Sequence, residues 1–217
     1  MAVLYKMTKN ELPLSKDGIL DAAEQVLRRY GPDKTSVVDI AKVLQVSHGT
    51  LYRHFESKAA LREAVTSRWL HTSIAVPLEA IANEIGGSAV GRLRLWLETL
   101  VQTKWKFASE DTEMFAMYAD VTFIEVEMIS THTYRLIKQL EQILEQGMAS
   151  KELKQGDSES LARAIFLATS RFHHPSHAGE WEMGSVDEDF ESVWQLLLGG
   201  LTEQDSSSGK MSLAESL

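Results

Sequence analysis

Residues 36–58 constrain the fold of this chain more than any other stretch. The first part has an apolar face, because its apolar residues follow the i, i+3, i+4, i+7 spacing of a helix. These residues are Val37, Ile40, Ala41 and Leu44. After a short turn at Val46, Ser47 suits an N-cap, since its hydroxyl can accept a bond from a free amide of the next helix. Two helices joined by so short a turn predict a helix-turn-helix, a motif whose second helix lies in the DNA major groove.

The second helix of this motif is expected to begin near His48 and to turn Leu51 and Phe55 inward. The remaining positions face outward and are rich in hydrogen-bond donors and flat rings. They are His48, Gly49, Thr50, Tyr52, Arg53 and His54. Gly49 removes side-chain bulk near the helix start, which would let the backbone approach another surface.

Helices are also predicted on both sides of the motif. Ser15 can cap an upstream helix with an inward stripe, and Gly31 with Pro32 should end it. The stripe is Ile19, Ala22, Ala23, Val26, Leu27 and Tyr30. Thr35 and Ser36 are both candidate caps of the next helix, and Ser57 can cap a fourth helix.

The segments ILDAAEQVLRRYGPDKTSVVDIA (19–41) and VSHGTLYRHFESKAAL (46–61) resemble the DNA-binding domain of tetracycline-repressor (TetR) family regulators. The resemblance spans roughly residues 16–70. It combines the glycine stop, the Thr-Ser helix start, the LYRHF recognition helix and the Ser-Lys pair that opens the fourth helix. It implies an all-α protein, in which a three-helix DNA-binding domain precedes a helical domain that binds a ligand and dimerises.

The resemblance also implies the residues that contact DNA. Phosphate contacts are expected from Ser36, Tyr52 and Lys58, and contacts to bases or nearby phosphates from Ser47, His48, Gly49, Thr50 and His54. Val38 offers only an apolar contact, such as to a thymine methyl. The family often has Arg or Lys where His48 stands, which weakens the expectation of a guanine contact there. The alternatives are that Tyr52 is partly buried with its hydroxyl at the rim and that His54 packs against the first helix.

Charge supports a division into two parts. The net charge of −9 is unusual for a DNA-binding protein, but residues 1–70 carry 11 Lys and Arg against 8 Asp and Glu. The rest of the chain is therefore strongly acidic, which would keep it away from phosphates. We expect an N-terminal arm at 1–14, the DNA-binding domain at 15–58, the helical domain at 59–202 and a disordered, serine-rich tail at 203–217.

Several classes of protein are disfavoured. The chain has no cysteine, so disulfides and thiolate metal sites are impossible. It contains no nucleophile elbow, phosphate-binding glycine loop or HExxH pair, so no enzyme activity and no cofactor are expected. No apolar run is long enough to span a membrane, and the start lacks the apolar core of a signal peptide. We therefore expect a soluble, cytoplasmic protein.

Downstream of residue 58 the periodicity predicts further helices. The fourth should run into the low eighties, kink at Pro77 and close at Gly86-Gly87. The others are predicted around 93–104, at 121–146 with a stop at Gly147, from 157 or 158 to 168, and at 187–198 with a stop at Gly199-Gly200. In the 93–104 helix, Lys104 follows directly on an apolar stripe that runs from Leu93 to Val101.

Residues 105–128 are rich in large, adaptable side chains that either fill a core or line an apolar pocket. The family resemblance implies an inducer pocket among these helices. Candidate lining residues are Trp105, Met114, Phe115, Tyr118, Phe123, Met128, Phe172 and His173.

The segment 172–181 (FHHPSHAGEW) contains His173, His174 and His177, whose imidazoles could bind a transition metal. Adjacent histidines on a helix diverge and Pro175 interrupts any helix, so a loop is the favoured interpretation. A metal-responsive regulator using these histidines is the alternative function.

The resemblance further implies a homodimer formed by the last two helices. Their apolar surface exceeds what one domain needs to cover, and a two-fold interface would bury the excess. The candidate interface residues are Phe166, Val193, Trp194 and Leu197. We predict a ligand-responsive regulator, a repressor of a palindromic operator, with a small-molecule inducer and the fourth helix as the lever between the two parts.

Overall fold

The computed structural model describes residues 14–182 and 184–203, and within them the chain forms ten α-helices and no strand. The all-α prediction is confirmed. The helices are α1 Lys16–Lys34, α2 Val37–Leu44, α3 His48–Tyr52, α4 Lys58–Leu70, α5 Val76–Ala82, α6 Ala89–Glu110, α7 Thr112–Thr122, α8 Val126–Ala149, α9 Ser158–Ala168 and α10 Val186–Leu201. Most of the predicted N-terminal arm and of the tail after Glu203 lie outside the described residues.

Helices α1, α2 and α3 form a head whose boundaries follow the predicted caps. The hydroxyls of Ser15, Ser47 and Ser57 each accept a bond from a first-turn amide of α1, α3 and α4. Ser36, not Thr35, caps α2, and Asp39 completes a capping box there.

The break after the first helix is also where the sequence predicts it. Gly31 has φ 79° and ψ 165°, and the short helical turn from Pro32 to Lys34 continues α1 in a new direction. The hydroxyl of Thr35 donates to the carbonyl of Gly31, which fixes this corner. The prediction that Tyr30 faces inward is wrong, because this residue precedes the corner and is 47% exposed.

Helices α4 and α5 form one nearly continuous rod. A π-helical turn, His71–Ala75, joins them and places Pro77 in the first turn of α5. The amide of Val76, just before this proline, donates to the carbonyl of His71 in the wider spacing of the π turn, so the helix changes its hydrogen-bond register where the proline has no N–H to donate. The predicted closure is confirmed, since Gly86 and Gly87 both have positive φ values of 91° and 70°.

Two predicted helix ends are wrong because their glycines lie inside helices. The 121–146 helix actually begins at Val126 and continues to Ala149, with Gly147 buried against Leu153 and Ala89. Likewise, α10 passes through Gly199 and Gly200 to Leu201, whose side chain is buried.

The buried side chains form one principal core that continues from the head into the helical bundle. At the boundary, α1 packs against α7 and α4. Arg28 of α1 makes three hydrogen bonds with Asp111 before α7, and Arg68 of α4 binds Glu24 of α1 at 2.6 Å. The head is thus held by apolar contacts and by ion pairs that a small rotation would break. Within the described ranges, no helix is both long and apolar enough to cross a membrane.

Candidate functional site

The outer face of α3 presents a mostly polar surface. His48, Gly49 and Tyr52 are exposed, whereas Leu51 is buried and anchors the helix from behind. Ser47 accepts a bond from the amide of Thr50, and the two hydroxyl oxygens lie 2.9 Å apart. Within the described part of the chain nothing bulky covers Gly49, since the one atom found within 4 Å of its hypothetical Cβ is the Ser47 hydroxyl oxygen at 3.9 Å. This end of α3 can therefore approach another molecule closely.

The start of α2 contributes a second part of this surface. Val38 is 37% exposed, and Ser36 is half-buried. The Ser36 hydroxyl donates to the carboxylate of Asp39 at 2.5 Å, and this bond lowers the pKa of Asp39 below its usual value. A phosphate at Ser36 would have to compete with that carboxylate for the hydroxyl proton.

The end of α3 and the start of α4 form the third part. Tyr52 is 50% exposed, Lys58 is exposed, and His54 is half-buried. Because Ser57 caps α4, the first free amides of α4 and the ammonium of Lys58 can face the same phosphate. The arrangement offers hydrogen-bond donors along the edges of one face, as a duplex requires.

Arg53 belongs to the same face, although sequence reasoning did not select it as a contact. It is exposed and its guanidinium donates to the hydroxyl of Thr50 at 3.3 Å. The sequence feature that could have identified Arg53 as a contact is its outward-facing position directly after Tyr52. Its charge supplies the strong donor that His48 does not.

Two sequence profiles match most of the chain. That of bacterial regulatory proteins of the tetR family matches residues 19–65, and that of the tetracyclin repressor-like C-terminal domain matches residues 89–194. The chain belongs to the TetR family. It is therefore a transcriptional regulator with a helix-turn-helix DNA-binding head.

Individual TetR relatives agree with this assignment. A helix-turn-helix transcriptional regulator of Mycobacterium tuberculosis is 44% identical over 55 residues, which is 25% of this chain and only 27% of that relative. SmeT, the repressor of the Stenotrophomonas maltophilia multidrug efflux pump SmeDEF, shares the fold with a TM-score of 0.63 at 20% identity, over 91% of this chain and 94% of SmeT. FadR from Bacillus subtilis, solved in complex with stearoyl-CoA, has a TM-score of 0.57 at 23% identity, over 84% of this chain and 97% of FadR.

The large side chains predicted to line a pocket in this TetR protein are mostly buried. They include Met114, Phe115, Tyr118, Met128 and Phe172. Phe123 does not join them, because it follows the last turn of α7 and is 69% exposed.

A half-open cavity of about 430 Å³, partly walled by aromatic rings, lies at the surface beside these residues. Trp105, Phe115 and Trp181 line it, and the rings of Trp105 and Trp181 stack with centroids 6.4 Å apart. Both indole N–H groups already donate to backbone carbonyls, so the rings turn apolar faces to the cavity. Such a wall suits a flat or aliphatic molecule.

A buried polar cluster lies deeper between α4, α6, α7 and α8. Lys104 of α6 is 2% exposed, and its ammonium lies 3.8 Å from the ring centroid of Tyr118. His132 of α8 and Trp69 of α4 are also buried, and each has a ring nitrogen without a hydrogen-bond partner among the described residues. Sequence reasoning missed this cluster, although Lys104 continues the apolar stripe of α6 four residues after Leu100.

The histidine segment forms two short 3-10 turns, Ser170–Phe172 and Pro175–Glu180, as the predicted loop requires. Its histidines do not converge. His173 is buried and its Nε2 lies 3.4 Å from the Thr169 hydroxyl, with burial lowering its pKa to about 3. His177 instead contacts the carboxylate of Glu180 at 2.8 Å. Among the residues that the structure describes, no three potential ligands are placed to hold a metal ion.

The residues predicted for the dimer interface differ in exposure. Trp194 is 2% exposed and packs inside its own chain, with the Arg94 guanidinium 5.6 Å from its ring centroid. Phe166, Val193 and Leu197 are half-buried. The exposed apolar residues on these helices are Leu167, at 62%, and Leu196, at 77%.

Proposed function

We propose that this TetR regulator represses transcription by binding a palindromic operator as a homodimer, and that a small molecule in the helical domain releases it. The observation that carries the proposal is the exposed face of α3, continued by Ser36 and Lys58. A single head reads only a few base pairs, so a two-fold pair of heads suits a palindrome. Such a regulator would act on DNA in the cytoplasm.

Within this proposal, the head divides its contacts between positioning and reading. Ser36, Tyr52 and Lys58 lie at its edges and suit phosphates, which fix the register but carry no sequence information. Ser47, His48, Gly49, Thr50 and His54, together with Val38, suit base edges or adjacent phosphates, and Arg53 adds a cation. Exposure supports these assignments for seven of the residues, whereas Ser36, Thr50 and His54 are half-buried; the exposed ones are Val38, Ser47, His48, Gly49, Tyr52, Arg53 and Lys58.

Apolar side chains on α9 and α10 support the dimer. Leu196 is followed by Gly199 and Gly200 on the same face of α10, and both glycines are exposed. Small residues beside a large apolar one allow two helices to approach closely, and a two-fold axis would bury both copies.

The head is connected to the bundle through α7 and through α4, and these two connections suggest how a ligand would act. The inward face of α7 carries Met114, Phe115 and Tyr118, while Arg28 of the head holds Asp111 at its start. Helix α4 leads directly from the head into the same core. A ligand that fits better when α4 or α7 is displaced would favour misplaced heads, whereas equal affinity for both forms would change nothing. The B. subtilis FadR complex with stearoyl-CoA is a precedent for a ligand in this fold.

The test of the DNA function is selection from a pool of random duplexes by the purified full-length protein at about 0.15 M salt, where nonspecific phosphate binding is weakened. An enriched palindrome is expected, and it should retain its advantage over nonspecific DNA. Recovery of sequences no different from the starting pool would refute sequence-specific regulation by this protein.

Replacing Tyr52 with alanine should weaken binding to every DNA sequence by about 1 kcal/mol or more, the scale of a hydrogen bond to a charged group. Because a phosphate contact is independent of sequence, the ranking of operators should not change. Fluorescence anisotropy with the selected operator and a scrambled duplex measures both effects. Tyr134→Ala removes a tyrosine that is similarly exposed, at 56%, on α8 and should have no effect. Equal affinities of the Tyr52 variant and the wild type would contradict the phosphate assignment.

Replacing Lys58 with methionine should lower the salt dependence of operator binding. One phosphate contact contributes about 0.9 to the slope of log K against log salt concentration for each head. Operator titrations at several salt concentrations measure the slope. Lys138→Met on α8 is the control, and its slope should equal that of the wild type. An unchanged slope for the Lys58 variant would mean that its ammonium does not neutralise a phosphate.

A further inference from the structure

The interface between α6 and α8 contains polar groups at regular intervals. The helices run antiparallel, since the guanidinium of Arg92 donates to Gln146 at 2.7 Å and the indole of Trp96 donates to Gln139 at 2.9 Å. The side-chain amide of Gln139 also donates to the backbone carbonyl of Ala75, so both of its ends are hydrogen-bonded. Near the head end of the bundle, the same register brings Lys104 opposite His132.

The Arg92 layer leaves one guanidinium nitrogen, Nε, without a partner among the described residues, and the Lys104–His132 layer leaves both of its facing side chains unsatisfied. The Nζ of Lys104 and the Nε2 of His132 are both buried without a hydrogen-bond partner among the described residues. Burial lowers the pKa of Lys104 well below its usual value, and no carboxylate offsets the effect. Burial and the charge of Lys104 also lower the pKa of His132. A buried amine without a hydrogen-bond partner is costly, so Lys104 at this position lowers the free energy of unfolding.

Trp69 extends this unsatisfied layer. Its Nε1–H is buried and has no acceptor, and its ring lies 6.1 Å from that of Tyr118 between centroids. Tyr118 in turn covers the Lys104 ammonium. Trp69 and Lys104 thus lie on the same aromatic ring, and their nitrogens, like Nε2 of His132, have no hydrogen-bond partner among the described residues.

His132 also lies in the wall of a surface cleft, which is where we place the entrance to this region. A cleft of about 270 Å³ opens between α4 and α8, and His132 and Met128 lie in its wall. Met128 is flexible enough to move aside. The rim carries Glu63 and Glu127 together with Arg135, so the charge around the opening is mixed.

We propose that Lys104, His132 and Trp69 bind the carboxylate of an otherwise apolar organic acid. A carboxylate has acceptor positions for all three groups when His132 carries its proton on Nε2, and a charge-assisted bond to Lys104 is the strongest of them. Phe107, Tyr118 and Met128 would surround the apolar part of the acid. The inference rests on the proposed function, because it identifies this acid as the ligand that releases the protein from DNA. Binding of the acid itself can be measured without DNA.

Calorimetric titration of the full-length protein with octanoate, decanoate and phenylacetate, each beside its primary amide, tests the proposal. The wild type should bind the acids about tenfold or more tightly than the amides. Lys104→Met retains most of the side-chain volume and should bring that ratio close to one. Lys106→Met changes an exposed lysine on the same helix and should retain the wild-type ratio.

Thermal unfolding accompanies the titrations. Lys104→Met should melt no lower than the wild type without ligand, because it removes an unpaired buried amine, and it should lose the stabilisation by acids. Lys104→Gln, which keeps a neutral polar group, serves as a second variant if the methionine variant does not fold. Three outcomes would overturn the proposal. The wild type binds no acid, it binds acids and amides equally, or the folded Lys104 variant keeps the wild-type preference for acids. If operator selection succeeds while the acids fail, only the anion site is refuted; if no operator is selected, the proposed function fails whatever the acids do.

Discussion

Leu196→Glu is expected to convert the proposed homodimer into monomers and to weaken binding to the proposed palindromic operator by roughly two to four orders of magnitude. Leu196 is 77% exposed in the single chain, and Gly199 and Gly200 follow it on the same face of α10, with the Lys154 ammonium at their carbonyl oxygens. A two-fold interface at this face would bury two introduced carboxylates, one from each copy, and a buried charge without a partner is strongly destabilising. Once the heads are separate, the second half-site no longer binds at the high effective concentration that the first contact provides.

Analytical ultracentrifugation and operator titration of the same preparations measure the two parts of this prediction. Ile85→Glu is the matched control, because Ile85 is 98% exposed in the α5–α6 loop and should tolerate the charge without a change in mass or affinity. Affinity for an isolated half-site should be unaltered in the Leu196 variant. If that variant sediments as a dimer, the two-fold axis lies elsewhere on the protein.

The head could be predicted almost residue by residue because its signals are local. A capping serine, a glycine with positive φ and an apolar face act within one or two turns of the chain, so they have the same meaning before and after folding. Asp39 was the exception. Its carboxylate holds the hydroxyl of Ser36, a detail of the capping box that affects any phosphate contact there.

The two misplaced helix ends show what local signals omit. Gly147 was expected to stop a helix, but a Cβ at this position would lie 2.5 Å from the Leu153 side chain and 2.8 Å from that of Ala89. Glycine is needed at position 147 because α8 packs closely there against Ala89 of α6, which is far away along the chain, and against Leu153. That requirement is invisible in a window of one helix.

The buried polar cluster shows a different limit. Periodicity placed Lys104 on the inner stripe of α6, but a lysine at the end of a stripe usually extends its charge to solvent. Only the later helices α7 and α8 close over it, and their positions follow from tertiary packing. The region of the candidate pocket, around residues 105–128, could thus be predicted from the sequence, whereas the buried amine of Lys104 beside it could not.

Gly31→Ala is expected to lower the free energy of unfolding by about 1–3 kcal/mol, the cost of holding a side chain in a backbone region reserved for glycine. Gly31 has φ 79° and ψ 165°, and Pro32 after it favours the extended ψ. An added Cβ would also lie 2.5 Å from a carboxylate oxygen of Glu113 on α7. Glu113 can rotate away from the methyl group, but the backbone strain remains.

The same substitution should also weaken operator binding, because the Gly31 carbonyl accepts bonds from both the amide and the hydroxyl of Thr35 and so orients α2. Chemical denaturation at one fixed protein concentration and operator titration measure the two effects. Gly91→Ala provides the contrast: Gly91 has ordinary helical geometry, and its added Cβ would meet the Ser88 side chain at a comfortable 3.6 Å, so stability should rise by up to about 1 kcal/mol. Equal stability of the Gly31 variant and the wild type would show that the corner can relax into another backbone conformation. The orientation of the recognition helix would then depend on the ion pairs of α1 with α4 and α7 and not on this glycine.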